Sequence, residues 1–145
     1  MKESVAAVVL GLLFASSALA AAGSSSQSAG DKVMNRWIGK WKSFADLKAT
    51  PWSPVAIKRS ESTSIERVMK GKFVQVVGRS AAFEARALIK YEKRLGAYQR
   101  WTFDSAGATG FWTGKWYPDT ATMVWTMDLG AYKGTITEKF TSPDA

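Results

Sequence analysis

The chain has 145 residues, 20 Lys and Arg against 12 Asp and Glu, and neither Cys nor His. This length suits a single domain whose core is large enough to be stable without disulfides. Without Cys or His the chain cannot form a Ser-His-Asp triad, a thiolate nucleophile or an ordinary zinc or iron site, so we expect no metal and no cofactor.

The net charge of +8 predicts either a solvated basic surface or weak contact with an anionic membrane or envelope polymer. The sequence shows no zinc-finger spacing, no recognition-helix pattern and no basic run of five. We therefore do not expect nucleic acid as a partner. The sequence does not indicate an oligomeric state.

The first 20 residues resemble an export signal. Lys2 precedes an apolar run, Val5–Phe14, and the small residues Ala18–Ala20 follow it. The run is shorter than the roughly 18 apolar residues that a spanning helix needs. We predict a signal peptide over residues 1–20, cleaved after Ala20, and a periplasmic or secreted protein. Residues 21–30 (AAGSSSQSAG) are predicted to be a flexible tether and residues 31–145 a single domain.

One short helix is predicted at the start of this domain. Asp31 is the expected N-cap of a helix from Lys32, because Met34 and Trp37 recur at helical spacing and Gly39 can end it. The rest of the chain alternates with a period of two, which is typical of half-buried strands. In the strand predicted around residues 83–91, every second residue is apolar.

The centre of the chain, Tyr98–Met127, contains three aromatic runs separated by turns. Taking every second residue places the tryptophans on one face: Trp101, Trp112, Trp116 and Trp125. Gly110 and Gly114 flank Trp112, and glycine within a strand indicates a bend or a large neighbour over the backbone. We predict about eight antiparallel strands with one short N-terminal helix, arranged as an up-and-down β-barrel. Eight strands enclose a space that side chains fill or that one small ligand occupies.

The sequence resembles the calycin superfamily in the order of helix, Gly39-Lys40-Trp41 and β-hairpins. It is most similar to a bacterial family of exported calycin-like domains, domain of unknown function 1579, through WIGKW, FEARALIKYEKRLGAYQRWTFD and Thr109-Gly110. This resemblance covers most of Met34–Trp125 and implies a calycin-like barrel and export, but no defined activity. Family members usually continue beyond the equivalent of Phe140, so either the barrel closes with fewer strands or one edge stays open. Related haem-binding barrels use a histidine that this chain lacks.

The expected partner is a small apolar or aromatic ligand inside the barrel. Indoles at one side and small alanines at the other would form its binding surface, and the candidate residues are Trp41, Ala85, Ala87, Tyr91, Trp101, Trp112, Trp116 and Trp125. The alternative is that the same indoles fill a dry core.

Four polar residues are further candidates. Asp104 precedes Ser105-Ala106-Gly107 and either caps that turn or faces a ligand. Glu138 shares a face with apolar residues and either pairs with Arg59 or Arg67 or lies at the barrel rim. An enzyme that uses carboxylates and Tyr is one alternative function, although we assign no catalytic residue. A basic module that contacts the envelope is the other.

Overall fold

The structure is a computed structural model that describes residues 28–49, 54–130 and 133–141. It is mainly β, with one short helix before eight antiparallel strands, which confirms the predicted fold class. The predicted signal peptide, the loop around Trp52 and Tyr132 lie outside the described residues. The elements are α1 (Ala29–Trp37), β1 (Gly39–Leu47), β2 (Ile57–Val68), β3 (Phe73–Ser80), β4 (Phe83–Glu92), β5 (Ala97–Asp104), β6 (Thr109–Tyr117), β7 (Thr122–Asp128) and β8 (Lys133–Lys139).

Each strand pairs with its neighbours in sequence, in the order β1 to β8. The sheet curls into a half-barrel whose edge strands are β1 and β8, and no pairing joins these two strands in the described part of the chain. Within the described residues the barrel is not closed, so the second of the two expectations, an open edge, fits this part of the chain. No helix among the described residues is long and apolar enough to cross a membrane.

The inner face of the sheet follows the predicted alternation in most strands. In β4, Ala87 and Ile89 are buried, and in β2 the residues Thr63 and Ile65 are buried. In β8, Gly134, Ile136 and Glu138 are partly buried while their neighbours in the strand are exposed. Alternation alone therefore predicts the inward faces of β4 and β8, whereas in β2 it separates two mostly polar faces without showing which one points inward.

Strand β5 is the exception, because Trp101 lies on the outer face rather than with the other indoles. Its partner in β6 is Phe111, with the ring centroids 5.4 Å apart, and it also packs 6.2 Å from Phe73. The inner face of β5 instead carries Tyr98 and Arg100. Tyr98 takes the interior position, where its ring packs 5.8 Å from that of Trp37 in α1, and Trp101, three residues further along, therefore falls on the opposite face.

The α1 end of the half-barrel is filled by an apolar core. Trp37 stacks on Phe140 at 5.2 Å and lies 5.8 Å from Tyr98 and 5.9 Å from Trp116. The other buried members of this cluster are Met34, Ile65, Val74, Ile89, Met123 and Trp125. The helix thus closes one end of the sheet, so the filled-core expectation holds for this half of the interior.

The helix begins three residues earlier than predicted. Ser28 is the N-cap, accepting a hydrogen bond from the backbone N–H of Asp31 at 3.1 Å and donating to its carboxylate at 2.6 Å. Asp31 therefore lies in the first turn, where its negative charge interacts favourably with the helix dipole and stabilises the helix. The predicted start was too late because Ser28, within the Ser/Ala/Gly run that was predicted to be a tether, is the N-cap.

Gly114 shows why a glycine lies within β6. A Cβ at this position would lie 2.5 Å from the ring of Trp125, closer than two carbon atoms can approach. The indole therefore covers the backbone of the neighbouring strand, as the glycine pattern predicted.

Candidate binding cleft

An open cleft of about 610 Å³ occupies the half of the interior that the apolar core leaves free. Residues of both edge strands border it, including Ser43 and Ala45 of β1 and Thr135 and Thr137 of β8. Because β1 and β8 are not paired, the cleft opens through the side of the half-barrel, between its two edges. A molecule can therefore reach the interior without the sheet opening further.

Small side chains form part of the inner wall of the cleft, and the carboxylate of Glu61 covers the wall at Gly78, where it would lie 2.7 Å from a Cβ. Ala85 and Ala87 of β4 lie beside Gly78 of β3, with Ala85 directly opposite Gly78 in the register. Trp41 and Phe140 border the cleft on the side of the core, their rings edge to face at 5.7 Å. Small residues on one side and aromatic rings on the other leave space that a flat apolar molecule fits.

An arginine and a glutamate form the first polar group of the cleft. The guanidinium of Arg100 donates to Oε1 of Glu138 at 2.6 Å, and the indole N–H of Trp125 donates to Oε2 at 2.8 Å. The side chain of Arg100 is 14% exposed and that of Glu138 is 34% exposed. The Nε of Arg100 is buried with no hydrogen-bond partner among the described residues. Such an orphaned charged donor has a desolvation cost, so the Glu138 contact is central to holding this cation in place.

A second pair lies across the sheet in β2. Arg59 donates to Glu61, and its guanidinium lies 3.8 Å from the ring centroid of Phe83. Nearby, the hydroxyls of Ser43 and Thr63 are hydrogen bonded at 2.7 Å. The cleft therefore has an apolar floor and two separate sets of hydrogen-bonding groups, which is the composition of sites that bind small molecules with a polar end.

The predicted ligand-binding residues divide into four groups. Trp41, Ala85 and Ala87 line the cleft. Trp112, Trp116 and Trp125 belong to the inner face but pack within the sheet beside the cleft, and Trp125 reaches it only through Glu138. Tyr91 lies at the α1 end, where its ring is so close to Gly30 that no Cβ fits. Trp101 lies on the outer face and is not part of this site.

The polar candidates are also separated by the structure. Arg59 and Glu138 line the cleft. Asp104 caps its turn, accepting from the backbone N–H groups of Ala106 and Ala108 at 2.9 Å each. Arg67 anchors α1, donating to the side chain of Asn35 at 2.7 Å and 3.1 Å.

The partner of Glu138 was predicted incorrectly. Arg59 pairs with Glu61 and Arg67 with Asp31, so Arg100 is the arginine that meets Glu138. Arg100 was missed because Trp101 was placed inside, which put Arg100 on the outer face. Tyr98 and Arg100 are two residues apart and must share a face, so the inward position of Tyr98, which depends on its contact with α1, also brings Arg100 inside.

Carboxylates outside the cleft have structural roles. Glu84 accepts from Arg79 at 2.9 Å and from Arg86 at 2.8 Å on the outer face, and these hydrogen bonds lower the pKa of its carboxyl group. Glu84 thus forms a cross-strand ion pair with Arg79 of β3 and a second pair with Arg86 of its own strand. Within the cleft each of the two glutamates is hydrogen bonded to an arginine, and Asp46, which also borders it, pairs with Lys48 and Lys58.

The sequence matches no model of a known protein family, and no curated protein resembles it closely enough to be a relative. The structure defines a class of fold, the curled antiparallel half-barrel with one helix at its end. The function must therefore be argued from the cleft itself.

Proposed function

We propose that the protein binds one small apolar or aromatic molecule with a polar end in the cleft between β1 and β8. The observation that carries this proposal is the side opening of about 610 Å³ with a floor of small residues. In this binding mode the apolar part lies on Ala85 and Ala87, and the polar end meets Arg59 or Arg100. Nothing in the site favours the enzymatic alternative over simple binding.

The cleft permits modest affinity. Burial of roughly 300 Å² of apolar ligand surface at about 25 cal/mol per Å² supplies on the order of 7 kcal/mol, against an association cost of at least about 4 kcal/mol. A hydrogen bond to a charged arginine adds about 1.5 to 3 kcal/mol. These terms leave about 4.5 to 6 kcal/mol, which corresponds to dissociation constants from tens of micromolar to about a millimolar.

We further propose that the protein acts outside the cytoplasm as an exported, calycin-like binding protein. The support is the apolar run Val5–Phe14 before Ala18–Ala20, together with the resemblance of the helix and hairpin order to calycins. N-terminal sequencing of the protein from its native cells tests the export. A new N-terminus near Ala21 in an extracytoplasmic fraction is expected, and an intact Met1 in the cytoplasm would contradict it.

The binding proposal is tested by filling the cleft. Ala85→Trp places an indole in the free space, so we expect the saturable response to the fluorescent probe 8-anilinonaphthalene-1-sulfonate to weaken by about tenfold or more, with little change in unfolding temperature. Leu88→Trp is the control, because it adds the same ring to the outer face of the same strand and should leave probe binding unchanged.

Two results would argue against the proposal. The first is that the parent protein gives no saturable response to this probe or to a panel of fatty acids and phenols. The second is that Ala85→Trp overpacks the interior and lowers the free energy of unfolding by about 1 to 3 kcal/mol, as a filled core requires.

A further inference from the structure

Two neighbouring hairpin turns at the α1 end of the half-barrel form a distinct surface. They are the β2–β3 turn, residues 69–72, and the β4–β5 turn, residues 93–96, and we call them together the basic turn pair. Gly71 and Lys72 of the first turn and Lys93 and Arg94 of the second border one open depression beside the start of α1. The two turns therefore face solvent together and can meet the same partner.

Each of these turns exposes one large apolar side chain among bases. Met69 is 59% exposed and Leu95 is 65% exposed. Four bases accompany them, Lys70, Lys72, Lys93 and Arg94, and none of their side-chain cations forms a salt bridge in the part of the chain that the structure describes. The carboxylates beside them are already paired, Asp31 with Arg67 and Glu92 with Lys90, and Glu92 also accepts from the backbone N–H of Arg94 at 3.3 Å. The surface thus combines unpaired positive charge with exposed hydrocarbon.

Among the residues that the structure describes at the opposite end of the half-barrel, this combination does not occur. That end too exposes apolar side chains, Val55 and Leu129. Its bases, however, are matched by acids: Lys48 lies 3.2 Å and Lys58 3.8 Å from Asp46, and Lys133 lies 3.2 Å from Asp128. Positive charge beside exposed hydrocarbon is therefore concentrated at the α1 end.

The two central residues of the first turn, Met69 and Lys70, are not the residue types that its backbone conformation favours. Gly71 donates its N–H to the carbonyl of Val68 at 3.0 Å, and the two central residues Met69 and Lys70 have φ angles of 52° and 56°. Such turns favour Asn, Asp or Gly at these positions, because other residues pay a steric cost of roughly 1 kcal/mol or more. The turn nevertheless presents a methionine and a lysine, which is understandable if those side chains have a partner.

We propose that the basic turn pair docks the protein on an anionic lipid surface. The four bases complement the negative headgroups, and each base near such a surface strengthens binding. Met69 and Leu95 enter the boundary between headgroups and acyl chains, as the apolar residues of interfacial proteins do. Because the side cleft opens between β1 and β8, docking at the turns leaves the cleft free, and this inference does not depend on the proposed function.

The first test uses the complete lack of cysteine. Leu95→Cys and, as the matched control at the other end, Leu129→Cys each accept one environment-sensitive nitrobenzoxadiazole label. With phosphatidylglycerol vesicles we expect a blue shift and stronger emission at position 95 and no change at position 129. Vesicles of phosphatidylcholine alone should change neither label. Equal responses at both ends, or no response at position 95, would overturn the proposal.

The second test separates a local docking surface from a general effect of the net charge. Lys72→Gln, Lys93→Gln and Arg94→Gln together remove three charges from the basic turn pair, and Lys48→Gln, Lys58→Gln and Lys133→Gln remove three from the opposite end. We expect the first variant to co-sediment with phosphatidylglycerol vesicles roughly a hundredfold more weakly and the second by less than about threefold. All variants are compared with the same N-terminus, the one found for the native protein, so the segment before α1 contributes equally.

Equal losses in the two triple variants would show that the charge acts without a docking surface and would overturn the proposal. So would a label at position 95 that responds to polyphosphate but not to the vesicles, because the partner would then be a soluble polyanion. Binding should also disappear at about 1 M salt, where the screening length falls to roughly 3 Å.

Discussion

Tyr98 connects the helix to the sheet through a side chain that is almost fully buried. Its hydroxyl is directed at the carbonyl of Gly30 at 3.5 Å, and its ring lies 4.9 Å from that of Tyr91. Burial, with smaller effects of Tyr91 and Asp31, raises the pKa of Tyr98 from 10.0 to about 12. The phenol therefore stays neutral in the folded protein at pH values where an exposed tyrosine ionises.

This raised pKa predicts a loss of stability at high pH. Between pH 10 and 12 the unfolded chain releases the proton that folded Tyr98 retains, so unfolding becomes more favourable as the pH rises. The free energy of unfolding should fall by about 2 to 3 kcal/mol over this window because of this group. Urea unfolding at several pH values measures the loss, and Tyr98→Phe should reduce it. An equal slope in Tyr98→Phe would contradict the assignment.

The pair of Arg100 and Glu138 gives a second prediction at the scale of residues. Glu138→Gln leaves a mostly buried guanidinium without its counter-charge, and we expect a loss of about 1 to 2 kcal/mol in the free energy of unfolding. Glu66→Gln is the control, since Glu66 is exposed and its change should stay within about 0.5 kcal/mol. Urea unfolding of both variants tests this prediction, and equal small changes would show that the pair adds nothing.

At the scale of elements, α1 packs its apolar side chains into one half of the interior and leaves the cleft in the other half. Trp37→Ala removes the ring that packs against Phe140, Tyr98 and Trp116, so the free energy of unfolding should fall by about 3 to 5 kcal/mol. Ile38→Ala is the neighbouring control, because Ile38 is exposed and should cost less than about 1 kcal/mol. Similar losses in the two variants would show that α1 does not seal the core.

The elements themselves could largely be predicted from the sequence. Period-two alternation identified the eight strands and the inner faces of β4 and β8, because one side of each is largely apolar. In β2, where both sides are mostly polar, it separated the two faces without showing which one points inward. Alternation failed in β5, because aromatic residues occur on both of its alternating faces. The larger ring of Trp101 led to the prediction that its face, rather than that of Tyr98, points inward. The choice depends on contacts with α1 and with Glu138, which are distant in sequence and leave no local pattern.

The cleft was predicted only in part for a related reason. Ala85 and Ala87 were recognised as a source of space, since small residues within an apolar strand are visible in the sequence. The opening between β1 and β8 depends on how far the sheet curls. The curvature of the sheet is set by all eight strands together, so no single stretch of sequence shows it. The division of the interior into a filled and an open half likewise required the position of Trp37 over the sheet.

At the scale of the whole molecule, the two proposed surfaces occupy different places. The cleft opens through the side of the half-barrel between its edge strands, whereas the basic turn pair lies at the end near α1. A protein docked through its turns would hold the cleft open beside the lipid surface. Binding in the cleft and docking at the turns can therefore be measured and abolished independently.

The central claim is that the cleft between β1 and β8 is a binding space, and amide chemical shifts measured during a ligand titration test it most directly. With a small aromatic carboxylic acid we expect saturable shifts that fit one site and are confined to amides around the cleft, such as those of Ala85, Ala87, Arg100 and Thr137. Amides of the outer face, such as Trp101, should not move. Shifts that fail to saturate, or that spread evenly over the surface without involving the cleft, would contradict the account.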